Sequence, residues 1–364
     1  MNKEVAMNVS FSQVEPSQID QLAELANQIW HEFFTIILSE DQINYMVDKF
    51  QSAHAIKEQT EHKGYTYYFI LEENIPIGFT AIRLENEKLF LSKLYLQKSA
   101  RGKGYASLAF EFIEKIAKEN HKNFIYLTVN KYNEHTIKVY EKKGFVKVDA
   151  KVSDIGNGFV MDDFIMEKVL NPSELTEVQK MIHGYYYMPS DKFLNKKRMQ
   201  AKELLYDFNL LMPSEVGDQI LKQLLGSCGK KPHIEPHFKC DYGKNILIGD
   251  YFYANSNCTI LDEAKVIIGN EVLFGPNVGL YTVNHPLDAA SREKGYEIAK
   301  PIVIGNNVWL GANVVVLPGV TIGERSVIAA GSIVTKDIPA DCLAAGNPCQ
   351  IIREIDQEQS IPLP

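Results

Sequence analysis

The sequence predicts two domains: an α/β domain with a mixed, mostly antiparallel sheet, then a helical segment leading into a parallel β-solenoid. Three observations carry that expectation. The chain has 364 residues, more than one ordinary core accommodates and a suitable length for two. Up to residue 168 it alternates helix and strand patterns. From Ile246 it falls into six-residue units, each with an apolar first residue and an apolar or small third.

In the first domain, Gln18 to Phe34 places apolar residues at helical spacing. TYYFILEE, IGFTAIRL and KLFLSKLYL follow as three strands. Polar breaks at Glu73-Asn74 and at Glu85-Asn86-Glu87 predict hairpins between them. From Gly104 to Glu119 the pattern is helical again, with Ala106, Leu108, Ala109, Phe112, Ile113 and Ile116 as its apolar face. FIYLTVN is a buried strand, and Glu134 to Lys143 a short helix stopped at Gly144.

The polar Asn171-Pro172-Ser173 marks the join, giving domains 1–170 and 174–364. Helices are expected over 174–226. LNKKRMQAKELLYDFNLLM is one, and EVGDQILKQLL after Pro213-Ser214 another. Ser214 is the expected N-cap there, without a capping box because Gly217 lies three residues on. Thr176 or Ser173 caps the first helix. The β-helix is expected over about 240–340. ILIGDY, FYANSN and CTILDE build one coil; VIIGNE, VLFGPN and VGLYTV build the next. After an interruption at 284–301 come IVIGNN, VWLGAN, VVVLPG, VTIGER, SVIAAG and SIVTKD. Three such units per turn make a triangular parallel solenoid. Glycine or small residues at the fourth position are expected at its corners. A sandwich would need hairpin turns that this stretch lacks.

Composition narrows the function. With 38 basic and 46 acidic side chains the net charge is −8, which gives no support to a nucleic-acid partner. No run of about 18 apolar residues is present, so no membrane span is expected. The opening MNKEVAMNVSFSQ lacks a signal-peptide pattern. The five cysteines, Cys228, Cys240, Cys258, Cys342 and Cys349, include no CxxC pair. They read as reduced packing residues of a cytoplasmic protein, and no metal site is expected.

In KLYLQKSARGKGYASLAF a strand runs through a glycine-bearing loop into a helix. Outward-pointing N–H groups there favour a pyrophosphate, with Gly102 and Gly104 letting backbone approach it. Arg101-x-x-Gly104-x-Ala106 resembles the Q/R-x-x-G-x-G/A signature of the GNAT acetyltransferase superfamily, and LTVNKYNEHTIKVYEKKGF fits that family too. The likeness covers about residues 8 to 168. It implies acetyl-CoA held by backbone of Arg101, Gly102, Lys103, Gly104, Tyr105 and Ala106, with the pantetheine arm pairing near Leu94 to Leu96. It implies a cofactor contact at Asn133. Tyr140 becomes the acid that protonates the leaving thiolate, a role a phenol can fill; the bland alternative is packing on a short helix. Glu85 and Glu87 read as solvated charges, and no general base stands out.

Residues from about Thr176 to Ile355 resemble the maltose/galactoside O-acetyltransferases, a hexapeptide-repeat family with a left-handed β-helix. The likeness rests on MIHGYYYMPSDKFL, KCDYGKNILIGDYFYANSNCTILD, VNHPLD, IGNNVWLGANVVVLPGVTIG and AAGSIVTKDIP followed by AAGNPC. It implies that His285, the one histidine between Ile246 and Asp337, is the general base. A sugar hydroxyl barely ionises near neutrality, whereas imidazole titrates there. Asn255 is implied near the reacting hydroxyl, where an amide orients the acceptor or stabilises charge. Asp191, Asp241 and Glu263 are implied acceptor contacts, and Glu297 a support for the histidine. Trp309, Gly311, Ala312, Ala330, Thr335, Lys336 and Arg353 fall on cofactor positions. Gln350 stands where some relatives carry arginine, which weakens part of the expected phosphate clamp. The family also implies a homotrimer.

The expectation is thus a bifunctional acetyltransferase with two acetyl-CoA sites per chain. One site would act on a sugar or sugar-like hydroxyl, the other on an unknown amine. The alternative is an antibiotic-modifying O-acetyltransferase whose GNAT half serves as a binding or regulatory module.

Overall fold

A computed structural model describes residues 9–36, 38–211 and 214–358. Pro213 and the first eight residues of the amino-terminal stretch lie outside the described residues. The chain divides into two compact units: residues 1–146 with 151–172, and residues 147–150 with 173–364.

The first unit opens with β1 (Val9–Gln13) and α1 (Ile19–Phe33), then α2 (Glu40–Gln51) and α3 (Ala53–His62). The sequence reading assigned neither of the last two helices. Their starts are nevertheless marked, because Ser39 accepts from Gln42 N–H and Ser52 from Ala55 N–H. Next come β2 (Tyr65–Glu72), β3 (Ile75–Leu84) and β4 (Lys88–Leu96). Glu73 and Asn74 both adopt positive φ, the tight turn that joins β2 to β3. Then follow α4 (Tyr105–Glu119), β5 (Phe124–Asn130), α5 (Glu134–Lys142), β6 (Val146–Gly156) and β7 (Phe159–Val169). The sheet order is β1-β2-β3-β4-β5-β7-β6, with β4 and β5 parallel.

One expectation for α4 needs correction. Its buried stripe is Tyr105, Ala109, Phe110, Ile113 and Ala117. Ala106, Leu108, Phe112 and Ile116 are only partly buried. The helix is rotated so that Tyr105 and Ala109 pack with Ile70, Ile77 and Ala100.

The second unit begins with α6 (Glu177–Ile182), α7 (Lys192–Asn209) and α8 (Glu215–Leu224). Thr176 and Gln179 form a reciprocal capping box, and Ser214 caps α8 without one. The solenoid then starts earlier than expected. Its first coil has strands Ser227–Cys228, His233–Ile234 and Lys239–Cys240, paired in parallel with the next coil. Gly226 and Pro232 stand where the next coil has Ile246 and Phe252, which hid the repeat. This coil also brings His233 and His237 into the solenoid.

First and third hexad positions point inward, as expected. Ile246, Ile248, Phe252, Ala254, Cys258 and Ile260 join one core with their equivalents in later coils. Leu205, Phe208, Leu221 and Leu224 from α7 and α8 join the same core. Before the interruption Ile246 pairs with Val266, twenty residues on; after it Val303 pairs with Thr321, eighteen on. The extra pair, Ala264-Lys265, sits at one corner.

Small residues at the fourth position serve a different purpose from the one expected. The left-handed φ values fall at the sixth position, at Asn257, Asn277, Asn307 and Asn313 among others. The fourth-position glycines instead lie against the next coil: a Cβ on Gly305 would come within 2.6 Å of the Glu324 amide nitrogen. The interruption itself is a hairpin. Val283–Asn284 pairs antiparallel with Ile298–Ala299, and a short helix, Ala289–Glu293, lies between them.

Candidate active sites

In the first unit β4 and β5 pair only from Lys88–Phe124 to Phe90–Tyr126, then part. Beyond Phe90 no strand pairs with the β5-facing edge of β4. Leu94 and Leu96 lie on that open stretch, although Arg101 Nε donates to the Leu96 carbonyl at 2.9 Å. The Arg101 guanidinium also stacks 4.8 Å from the centre of the Phe33 ring. The loop below enters α4 through Gly102 and Gly104, both at positive φ. No hydrogen bond joins the N–H groups of Gly102 to Ala106 to another described residue, the free-donor array of a helix start. The Tyr105 hydroxyl bonds Glu72, and Lys103 lies 3.9 Å from the same carboxylate.

Asn133 is buried and caps α5, accepting from Thr136 N–H at 3.4 Å. Tyr140 is partly buried against Phe110 and Phe145. Desolvation pushes its phenol up to about 12. Glu85 is not the solvated charge expected: it accepts from Arg83 and from the Tyr126 hydroxyl at 2.8 Å.

At the open end lies a carboxylate the sequence reading missed. Asp163 on β7 pairs with Asn130 at the end of β5. It is 7% exposed, its Oδ1 has no hydrogen-bond partner, and burial lifts its pKa to about 6, with Asp162 adding to the rise and Lys131 opposing it. It occurs within the ordinary-looking run MDDF; only the strand register distinguishes it.

In the second unit His285 is exposed on the hairpin that interrupts the solenoid. Its Nδ1 lies 3.2 Å from the Tyr296 carbonyl oxygen. A carbonyl only accepts, so Nδ1 carries the proton and Nε2 keeps its lone pair. The neighbouring Glu297 is bound twice over to Tyr187. Their backbones exchange hydrogen bonds, and the fully buried Tyr187 hydroxyl donates to Glu297 Oε2 at 2.5 Å. This ties the hairpin's return strand to the segment before α7.

Asp241 and Glu263 come together as a carboxyl pair. Burial first, then the hydrogen bond and charge of Asp241, raise the Glu263 carboxyl well above its ordinary range. Between them in sequence, Asp262 is fully buried and accepts from the N–H groups of Asp241, Tyr242 and Asn245. Asp191 caps α7, accepting from Phe193 and Leu194 N–H. Asn255 is half-buried, its Oδ1 2.8 Å from Ser256 N. Trp309 is 53% exposed beside Leu273, also exposed, on one outer face. Gly311 lies against Ala330, with room for no Cβ, and Ala312 accepts from Gly331 N–H. Thr335, Lys336 and Arg353 are exposed on the later coils and the terminal strand. Among the described residues no cluster of three metal-binding side chains occurs, and no helix is long and apolar enough to cross a membrane.

Sequence comparison places these sites in families. A model of the acetyltransferase (GNAT) family matches residues 22–145. One of the maltose acetyltransferase hexapeptide capping motif matches 180–229, and one of the bacterial transferase hexapeptide matches 301–336. The galactoside O-acetyltransferase of Escherichia coli (strain K12) is 50% identical over 165 residues, 45% of this chain and 81% of its own length. A solved galactoside acetyltransferase in complex with coenzyme A is 44% identical, covering 51% of this chain and 94% of that one at a TM-score of 0.49. The PaiA N-acetyltransferase of Thermoplasma acidophilum, also solved with coenzyme A, is 23% identical; the match covers 45% of this chain and 99% of that one at a TM-score of 0.38.

The family models and relatives make this chain an acyltransferase. The chain belongs to the acetyltransferases, joining a GNAT domain to a C-terminal half of the hexapeptide-repeat, maltose/galactoside O-acetyltransferase type.

Proposed function

We propose that the chain is a bifunctional, acetyl-CoA-dependent acetyltransferase. Its second unit acetylates a hydroxyl of a sugar or sugar-like acceptor, with His285 as general base; its first unit acetylates an amine. The observation that carries the sugar reaction is the Tyr296 carbonyl against His285 Nδ1. It fixes the tautomer and leaves Nε2 to take the hydroxyl proton, and the half-identity to a galactoside O-acetyltransferase supplies the acceptor class. Glu297, anchored by Tyr187, keeps the His285 hairpin in place. Asn255 orients the acceptor. Asp191, Asp241 and Glu263 hydrogen-bond its hydroxyls. Trp309, Gly311, Ala312, Ala330, Thr335, Lys336 and Arg353 hold the donor, the last two cations meeting its phosphates.

In the first unit the unbonded N–H groups from Gly102 to Ala106 suit a pyrophosphate, and the open edge of β4 suits the pantetheine amides. Asn133 contacts the cofactor arm, and Tyr140 supplies a proton to the departing thiolate.

His285→Ala tests the sugar reaction. Acetyl transfer to galactosides or maltose, followed by thiol release, is expected to fall by roughly 10²–10⁴-fold. Acetyl-CoA binding and amine transfer are expected to persist. Near-normal sugar acetylation by the variant would remove His285 from the mechanism.

A further inference from the structure

The amine site of the first unit lacks a proton acceptor in the account so far, and the parting of β4 and β5 shows where one stands. Four residues beyond the last pair on β5 is Asn130, whose partner across β7 is Asp163. Five residues beyond it on β4 is Tyr95. The two therefore stand on opposite lips of the opening. Their side chains sense each other, since the Tyr95 phenol is raised by burial and then by Tyr140 and Asp163.

The same side of the sheet is lined with rings. Trp30 lies edge-on to Tyr95 at 5.8 Å, and Phe34 at 6.0 Å. Trp30 is 4% exposed, yet its indole Nε1 has no partner. Two buried polar atoms, Asp163 Oδ1 and Trp30 Nε1, thus stand without a hydrogen-bond partner, and both residues interact with one tyrosine. Each unpaired buried group costs stability, and a native protein that keeps one has a reason for it, a catalytic role among them.

We propose that Asp163 is the proton acceptor of the N-terminal site, and that its acceptor substrate is a primary amine received among Asp163, Tyr95 and Trp30. This rests on reading the first unit as an amine acetyltransferase. The rings and the carboxylate attract the ammonium form. The ammonium first loses a proton to water. The neutral nitrogen then attacks the thioester carbonyl, an N–C bond forms and the C–S bond breaks. Asp163 takes the second proton from nitrogen, and Tyr140 gives its phenolic proton to the thiolate. Exchange with water returns both groups to their starting states. The titratable groups around Asp163 are Asp162 beside it on β7, Lys131 after β5, and the neutral phenol of Tyr95, itself next to Tyr140. On α2, Lys49 and Tyr45 are turned to the Ile155 carbonyl.

The test uses the full chain with n-butylamine, 1,4-diaminobutane and a lysine peptide as acceptors. Wild type is expected to release thiol with at least one of them, with kcat/KM falling about tenfold per pH unit as the amine protonates and more steeply below about pH 6. Asp163→Asn is expected to lose 10²-fold or more and the added steepness below pH 6 with it, while sugar acetylation and acetyl-CoA binding by calorimetry stay normal. Carbon-13 NMR is expected to show a carboxyl that titrates near pH 6 and is missing from the variant. Full amine activity in the variant would overturn the proposal and leave the amine reading standing. Activity with none of the amines in wild type would overturn both. Should the variant not fold, a wild-type profile that keeps the slope of amine protonation alone down to pH 5, with no added steepness near 6, is the overturning result.

Discussion

At the scale of single residues, the first unit holds a carboxylate where stability alone would not. Asp163 has a folded pKa near 6 against an ordinary 3.8. Below pH 3.8 it is protonated folded or unfolded and costs nothing. As pH rises through 6 the folded protein must ionise it in a buried site, and the penalty is then fully present. The shift corresponds to roughly 1–3 kcal/mol. Asp163→Asn is therefore expected to melt higher than wild type at pH 7–8, with the gap closing as pH falls toward 4. Thermal denaturation across that range checks it; a variant less stable at pH 7.5 would show that the carboxylate is structurally paired. In the second unit Asp262 is fully buried and accepts three backbone N–H groups, which oppose the desolvation without cancelling it, so its carboxyl is still pushed up to about 7. Asp191 shows one side chain meeting a structural demand whatever its place near an acceptor, since it closes the first turn of α7.

At the scale of elements, what was legible depended on whether the signal was local. The hexads announced the solenoid because every inward residue recurs at a fixed interval, and Ile246, Ile248 and their equivalents form the core. The coil from Ser227 was hidden because Gly226 and Pro232 break the apolar pattern, although register with Leu247 and Tyr253 holds it in the stack. The helices α2 and α3 carried serine caps but modest apolar patterns. Gly102, Gly104 and His285 could be chosen from the chain, whereas Asp163 could not, because its meaning arises from strand register and from β4 parting from β5. Coil spacing also makes a prediction. Gly305 faces the Glu324 backbone so closely that a Cβ would sit 2.6 Å from its nitrogen and 2.8 Å from its Cα. Backbone cannot swing aside as a side chain can, and overpacking of this kind costs about 1–3 kcal/mol. Gly305→Ala is expected to lower the unfolding free energy of the second unit by that amount in denaturant titration. Gly331→Ala would meet no atom within 4 Å and pays only for its positive φ. Equal stability of the Gly305 variant and wild type would mean that the coils are not packed at this distance.

At the scale of the whole molecule, two units of unrelated architecture share one chain. One offers free N–H donors at a helix start between parting strands, the other stacked coils of a solenoid. Each carries its own proposed donor-binding residues, so each is expected to bind acetyl-CoA by itself. The second has an outer face on which Leu273 and Trp309 remain exposed on consecutive coils. An apolar ladder of that kind is normally covered in the working assembly, and the hexapeptide family implies a trimer. Calorimetry of the intact chain is expected to give two acetyl-CoA per subunit. Light scattering is expected to give three times the 41.2 kDa chain mass. The two measurements separate the ideas they test. One acetyl-CoA per subunit, abolished by Gly104→Trp in the α4 loop, would leave the second unit as a scaffold. One that survives that change would leave the first unit without a donor. A monomer at micromolar concentration that still acetylates sugars would mean that the Leu273–Trp309 face is not an interface, and that His285 works within a single subunit.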